Sequence, residues 1–524
     1  MSTIVTRALA TIPELLARAA DRDAERVWLR TDDGSQTFAG AVGLAGALAH
    51  RLRDAGVRHG DLVVVTTRTT PAYLLTWLAL SALGAVTVPT DPRGTSGELA
   101  GLVGQVRPRL LLTDTGLRAS VDQAVTGNLM PPLGVLDVEE LLGDWRSTDP
   151  ADREALPSGV EPDDLAVLIP TSGTTGRSKL VMQTQRAYAM AGEGFPFWME
   201  LTADDRLMTS LPLFHINAPA YSVLGSLACG AGLVLLPRFS ASGFLDSARR
   251  HGATEFNAIG AMLEILMRQP ERPDDADTPL RLCYTGPSPA QEWQEAFERR
   301  FGLRVVCGYA LSESPYGLIW RHGTRPFGTL GSVRQHPVLG VVNEARVVDD
   351  GGHDVDDGEV GELLLRNPVV TPGYWQMPAE TAATVVDGWL HTVDLVTARA
   401  DGTFTFVSRR KEVLRRRGQN LSPAEVEDAI LAHPDVLEVA VVAVPSELTE
   451  DEVKAFVVPV PDVQLDFAEL RDWTAARLSA FKVPRFWQAL DALPRTPTAR
   501  VAKHRLPAGH QPGEHDANAI EERP

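Results

Sequence analysis

The chain reads as a multi-layer α/β protein with a small α+β unit near its C-terminal end. Three observations carry that expectation. Apolar runs of strand length alternate with helical apolar spacing through the first half. From Gly340 to Phe406 short alternating strands with Gly and Asp turns take over. A dense basic run at 409–417 is then followed by a compact helix–strand–strand–helix pattern.

Ile12 to Ala20 and Ala41 to Arg53 space their apolar residues as helices do. Asp61 to Thr67 has the composition of a buried strand, and Ala72 to Leu83 that of a helix leading to a strand at Ala85–Val88. Such alternation implies α/β layers with largely parallel sheets. It resumes at Arg206–Pro212, Gly232–Leu236 and Leu303–Val306. Strands such as Gly361–Arg366 then suggest an antiparallel subdomain or barrel. The last unit places helices at Pro423–Ala432 and Phe467–Leu478 around strands at Val436–Val444 and Val453–Val460. The expected domains are 1–408, 409–506 and a polar, disordered tail at 507–524.

At 524 residues the chain should hold two to four domains, taking ~150 residues as a guide for each. A formal net charge of −18 argues against nucleic acid or an anionic membrane as the main partner. Any polyphosphate site must therefore be locally basic. Cys229, Cys283 and Cys307 are too few and scattered for a disulfide framework or a zinc site. The N-terminus lacks the apolar core of a signal peptide. The stretch Leu74–Pro89 is short for a membrane span and is interrupted by Thr76, Ser81 and Thr87. The expectation is a soluble cytoplasmic protein without a membrane span.

The most informative run is Pro170-Thr-Ser-Gly-Thr-Thr-Gly-Arg-Ser-Lys179, which follows the strand-like Leu165–Ile169. Gly173 and Gly176 let backbone N–H groups approach an anion. Thr171, Ser172, Thr174 and Thr175 add hydroxyl donors, and Lys179 adds a point charge. The run describes a loop that wraps phosphate. It is not a Walker loop, because Gly173 is followed by glycine at 176 and the lysine comes only at 179, with leucine after it.

Five further segments fit that loop: Tyr284-Thr-Gly-Pro-Ser288, Gly308-Tyr-Ala-Leu-Ser-Glu313, Trp389-Leu-His-Thr-Val-Asp394, Ser408-Arg-Arg-Lys411 continuing to Gly418-Gln-Asn-Leu-Ser422, and Leu493-Pro-Arg-Thr-Pro-Thr-Ala-Arg500. In this order the chain resembles the adenylate-forming superfamily of acyl-CoA synthetases, luciferases and peptide-synthetase adenylation enzymes. Within it the chain is most similar to the crotonobetaine/carnitine-CoA ligase-like branch. The resemblance spans about residues 12 to 506. It implies a large N-terminal domain of two α/β sheet subdomains plus a small β-barrel-like subdomain, followed by a small mobile C-terminal domain. It also implies ATP, Mg²⁺ and, as acceptor of an activated acid, CoA.

By that resemblance Tyr309 lies against adenine, with Gly286 in the adenine segment. Ser312 contacts the α-phosphate. Glu313 and Thr175 hold Mg²⁺. Asp394 accepts from the ribose hydroxyls, and Arg409 contacts ribose or phosphate. Lys411 marks the hinge, and Gly418 the tunnel for the pantetheine arm. Lys179 grips phosphate. The chain departs from the family at two places. Val393 stands where the family has glycine, which is costly if the backbone needs φ > 0. Arg500 stands where the family has the lysine that bridges carboxylate and α-phosphate during adenylation. Arginine keeps the charge and can grip two oxygens.

Leu211-Pro-Leu-Phe-His215 fits the family's run beside the acyl pocket, and His215 takes the place of the aspartate that pairs with an α-amine in amino-acid-activating relatives. Asn217, Tyr221, Asn257, Gly260 and Tyr284 are candidate pocket residues with no net charge, so an uncharged or aromatic acid is expected. No aromatic cage for a quaternary ammonium is evident in the sequence. The main expectation is an AMP-forming acid–thiol ligase acting on a small acid and CoA. Three readings stay open beside it: a carrier-protein acceptor, adenylation of nitrite in place of a carboxylate, and a non-catalytic nucleotide-binding regulator.

Overall fold

The computed structural model describes residues 10–149, 153–171, 178–286, 288–289, 291–321, 323–409, 414–416, 419–421, 423–445, 451–494, 501, 503, 506–507 and 509–517. Two α/β sheets form the larger part. A six-stranded sheet has the order Val135–Asp137, Leu110–Thr113, Leu62–Thr66, Val86–Pro89, Leu165–Thr171, Lys179–Thr184. It is parallel except for the last strand, which returns antiparallel as a hairpin. A nine-stranded sheet centres on the parallel strands Arg304–Leu311, Leu282–Thr285, Glu255–Asn257, Arg206–Thr209 and Gly232–Leu235.

The helix Gln185–Met199 follows the hairpin and is buried on nearly every turn. It packs with Pro71–Ala82, whose residues Ala72–Ala82 are all buried. Thr70 caps that helix through its side chain, and Pro71 occupies the first turn, where a missing N–H is harmless. The stretch flagged at Leu74–Pro89 is therefore a helix and a separate strand, Val86–Pro89, and no helix among the described residues is long and apolar enough to cross a membrane. Cys283 and Cys307 are buried and Cys229 is half-buried; all three are free thiols.

The expected antiparallel subdomain is a five-stranded sheet of Glu344–Val348, Val360–Arg366, Trp389–Ala398, Val385–Val386 and Phe404–Arg409, with its own apolar cluster. The last unit pairs Val436–Pro445 with Asp451–Pro459 and packs Pro423–Leu431 on them around Trp487, Val441 and Leu470. One expectation is corrected here. The expectation of disorder over 507–524 fails for part of the described residues, since His515–Asp516 pairs with Phe486–Ala489 as an edge strand. Its polar residues are anchored by charge: Glu514 receives Lys454 at 2.6 Å, and Arg485 grips both carboxylate oxygens of Asp516 at 2.9 Å.

Glu255, on the nine-stranded sheet, is fully buried and neither carboxylate oxygen has a hydrogen-bond partner. Burial, with the nearby Asp205 charge, pushes its pKa well above the ordinary carboxylate range. Arg281 offers little relief, because its guanidinium is spent on both oxygens of Asp205 at 3.0 and 2.8 Å. The folded chain keeps a proton that the unfolded chain releases above about pH 4.5. The resulting penalty grows by about 1.4 kcal/mol per pH unit from there until the folded pKa is reached. Glu255→Gln is expected to raise the thermal midpoint at pH 8, with a gain that shrinks toward pH 5; a gain independent of pH would contradict this account.

Candidate active site

A cleft of about 2100 Å³ runs between the sheets and on to the small C-terminal unit. Thr171, Lys179, His215, Gly286, Tyr309, Ser312, Glu313 and Asp394 all line it. Residues 172–177 lie outside the described residues, so Ser172, Gly173, Thr174, Thr175 and Gly176 are not placed. The same holds for Lys411, Gly418 and Arg500. The two residues that flank 172–177 are placed. Thr171 and Lys179 are paired across the hairpin, and the Thr171 hydroxyl donates to the Lys179 carbonyl at 3.2 Å.

Lys179 stands over the ring of Tyr374, with Nζ 4.6 Å from the centroid. The hydroxyl of the same tyrosine donates to Glu313 Oε1 at 2.8 Å. A cation and a carboxylate from different sheets are thus set on one aromatic side chain. Thr371–Trp375 holds this arrangement in place. Met182 N–H donates to Gly373 O at 3.0 Å and Trp375 N–H to Leu180 O at 2.9 Å, while Thr371 N–H donates to Glu313 O at 2.7 Å. Sequence reasoning missed Tyr374. Its signal was an aromatic residue directly after Gly373, whose φ of +133° is one that L side chains rarely adopt.

Asp394 is fully buried and accepts from the Tyr309 hydroxyl at 2.6 Å. Its backbone pairs opposite Arg409 on the neighbouring strand. Gly286 has a steric reason to be glycine, since a Cβ there would sit 2.3 Å from the Gly308 carbonyl oxygen. Ser312 offers its carbonyl to the Gln183 amide.

Val393 lies at a break in register between Val360–Arg366 and Trp389–Ala398, and its φ is +55°. This is the left-handed conformation for which the family's glycine is suited. Its N–H donates to Glu362 Oε1 at 3.0 Å, which holds the bulge. A β-branched residue in this region is strained by about 1–3 kcal/mol.

His215 is half-buried, and its Nε2 has no hydrogen-bond partner. Burial lowers its pKa to about 4, so it is neutral at pH 7. Asp91 and Arg93 lie close enough to influence it. Burial pushes Asp91 up, but the fork of Arg93 on both its oxygens outweighs that and holds it low. The neighbouring Asn217 accepts from Asn257 Nδ2 at 2.7 Å.

The C-terminal unit reaches the same cleft. Gln419 donates to Asp91 at 3.2 Å, and Lys482 bridges Glu98 and Glu425 at 2.8 Å each. Glu98 also closes the capping box of Ser96–Val106 with Thr95. The hairpin Leu414–Arg416/Gln419–Leu421, which flanks the position of Gly418, therefore faces the large domain across the cleft.

Behind Tyr221 and Tyr284 lies a cation that sequence reasoning also missed. Arg334 is fully buried, and its side chain donates to Leu318 O and Pro315 O at 3.1 Å, to the Tyr221 hydroxyl at 2.9 Å, and to the Tyr284 hydroxyl.

The chain is similar in sequence and fold to known proteins. The model of the family described as AMP-binding enzyme covers residues 16–375, and that of the AMP-binding enzyme C-terminal domain covers residues 425–500. A crotonobetaine/carnitine–CoA ligase of Salmonella paratyphi B is 32% identical, over 86% of this chain and 89% of that ligase. Among solved structures, an o-succinylbenzoate CoA synthetase from Bacillus subtilis, bound to a product analogue, superposes with a TM-score of 0.82 at 26% identity, covering 94% of this chain and 98% of that one. ATP-bound MatB from Rhodopseudomonas palustris gives a TM-score of 0.68 at 26% identity, with 94% and 98% covered.

Restoring glycine at the bulge tests whether Val393 is strained. Val393→Gly is expected to raise unfolding stability by about 1 kcal/mol, after the entropy that glycine adds to the unfolded chain is subtracted. Denaturant melts measure it, and a loss of stability would refute the strain.

Proposed function

The chain belongs to the AMP-binding enzyme family, and we propose that it activates a small acid with ATP and hands the acyl group to CoA. The observation that carries this reading is the pairing of Lys179 and Glu313 on Tyr374, in one cleft with the Tyr309–Asp394 pair. The first set suits a polyphosphate and the second a nucleoside.

In the first half-reaction one carboxylate oxygen attacks the α-phosphorus of ATP in line, forming the acyl-adenylate as pyrophosphate leaves. Positioned charge does most of this work. Lys179 and the N–H groups of the loop 172–176 hold the leaving phosphates, and Ser312 lies at the α-phosphate. Tyr309 and Gly286 frame the adenine. Asp394 accepts from the ribose, and Arg409, opposite it, binds ribose or phosphate. Glu313 fits Mg²⁺: it is a carboxylate at the cleft, fixed by Tyr374, and among the described residues no group of three His, Cys, Asp or Glu forms a cage that would take the ion elsewhere. Glu313, the Thr175 hydroxyl and the phosphates would hold the ion, whose bound charge screens that of the leaving pyrophosphate. Arg500 is the cation that bridges the acid and the α-phosphate.

In the second half-reaction the CoA thiol attacks the acyl carbon and AMP leaves. The C-terminal unit rotates at Lys411 between the two steps, and the pantetheine arm passes Gly418. His215, neutral at pH 7, lies beside the acyl group. Excluding water until the thiol arrives protects the anhydride.

The test is pyrophosphate release across a panel of acids and nitrite, with and without CoA, a carrier protein and an aryl amine. CoA-dependent thioester mass supports the reading. Diazo product without CoA, a thioester formed only on the carrier, or no turnover at all each overturn it. Arg500→Ala is expected to abolish pyrophosphate release while sparing thioester formation from supplied acyl-adenylate; equal loss of both would show that Arg500 is not the adenylation cation.

A further inference from the structure

The relative at 32% identity is named for an acid that carries a quaternary ammonium. Such a cation is usually recognised by the faces of several aromatic rings. This chain has those rings at the inner wall of the cleft, where Tyr221 and Tyr284 line it and Trp198 stands behind them. They already hold a cation. The guanidinium carbon of Arg334 lies 4.5 Å from the ring of Trp198, 5.0 Å from Tyr221 and 5.7 Å from Tyr284. Tyr221 is further covered by Phe195, stacked on it at 5.3 Å and 20°.

The polar ends of these rings are committed as well. Both tyrosine hydroxyls accept from Arg334, and Tyr221 donates to Pro315 O at 2.7 Å. Among the described residues, the hydrogen-bond partners of Arg334 are carbonyls and tyrosine hydroxyls and none is a carboxylate, so its charge is not neutralised by a direct ion pair. Glu264 also lines the cleft. Burial pushes its pKa up, and the nearby Arg268 and the Trp293 indole offset only part of that shift, which disfavours a full negative charge there.

We propose that Arg334 is a specificity-determining residue that fills the aromatic cage itself, so that the site takes acids with an uncharged tail and rejects those with a cationic one. The inference rests on the reading of the site as an acid-activating cleft with its acyl end at Tyr221 and Tyr284. Two effects act in the same direction. The ring faces a cation needs are occupied, and a fixed positive charge repels a second one across a low-dielectric wall.

An isosteric pair isolates charge from shape. Crotonobetaine and 5,5-dimethylhex-2-enoate differ only by nitrogen against carbon at the branching atom. Titration calorimetry on the full chain with a non-hydrolysable ATP analogue is expected to show the neutral acid binding at least tenfold more tightly. Equal affinity, tighter binding of the cation, or binding of neither overturns the proposal. Arg334→Met should bring the pair toward parity, and Arg334→Lys, which keeps the charge, should preserve the discrimination. A folded Arg334→Met that discriminates as the parent does removes Arg334 from the account. If either variant fails to fold, the wild-type pair still decides. Pyrophosphate release on a wider acid panel separates the two levels: release without discrimination sinks only this inference, while no release on any acid sinks the reading of the site.

Discussion

The short strap Thr371–Trp375 is the constraint on which the site depends. Lys179 begins the last strand of the six-stranded sheet, and Glu313 sits in the turn between two strands of the nine-stranded one. Nothing in either sheet alone fixes their separation. The strap bonds to the first through Leu180 and Met182, and to the second through the Glu313 carbonyl and carboxylate. Gly373 is needed for the path, since its φ is +133° and a Cβ would strike Thr381 at 2.3 Å. Backbone bonds set the distance between the sheets, and the single side chain of Tyr374 converts that distance into the spacing of a cation and a carboxylate.

Charge at the cleft is mixed, with lysine and arginine set among carboxylates. The chain carries −18, yet the cleft holds Lys179, and Asp394 and Glu313 are each hydrogen-bonded to a tyrosine hydroxyl. Preorganised groups of this kind need little rearrangement when charge develops on a phosphate. Two fully buried ionisable groups, Arg334 and Glu255, differ in how they are met. Arg334 is satisfied by carbonyls, hydroxyls and rings, whereas the Glu255 carboxyl has no hydrogen-bond partner and keeps its proton.

Much of this was legible in the sequence because the relevant signals are local. The alternation of helix and strand pointed to α/β layers, and the motif segments included Thr171, Lys179, Gly286, Tyr309, Ser312, Glu313 and Asp394, which line the cleft. At Val393 the residue type alone left two outcomes, strain or an extended backbone, and the φ of +55° selects the first. What could not be read required long-range placement. Tyr374 and Arg334 meet their partners across 61 and up to 113 residues, and no periodicity encodes such a meeting. The cage of Trp198, Tyr221 and Tyr284 was invisible for the same reason. The tail was misjudged because composition sees polar residues but not the buried Lys454 that anchors Glu514.

The central claim is that an acid oxygen forms a bond to the α-phosphorus of ATP. An acid labelled with ¹⁸O in both carboxylate oxygens tests it directly, once turnover with CoA is established. Transfer through an acyl-adenylate leaves one labelled oxygen on each AMP released, read by mass spectrometry. AMP without label would contradict the account.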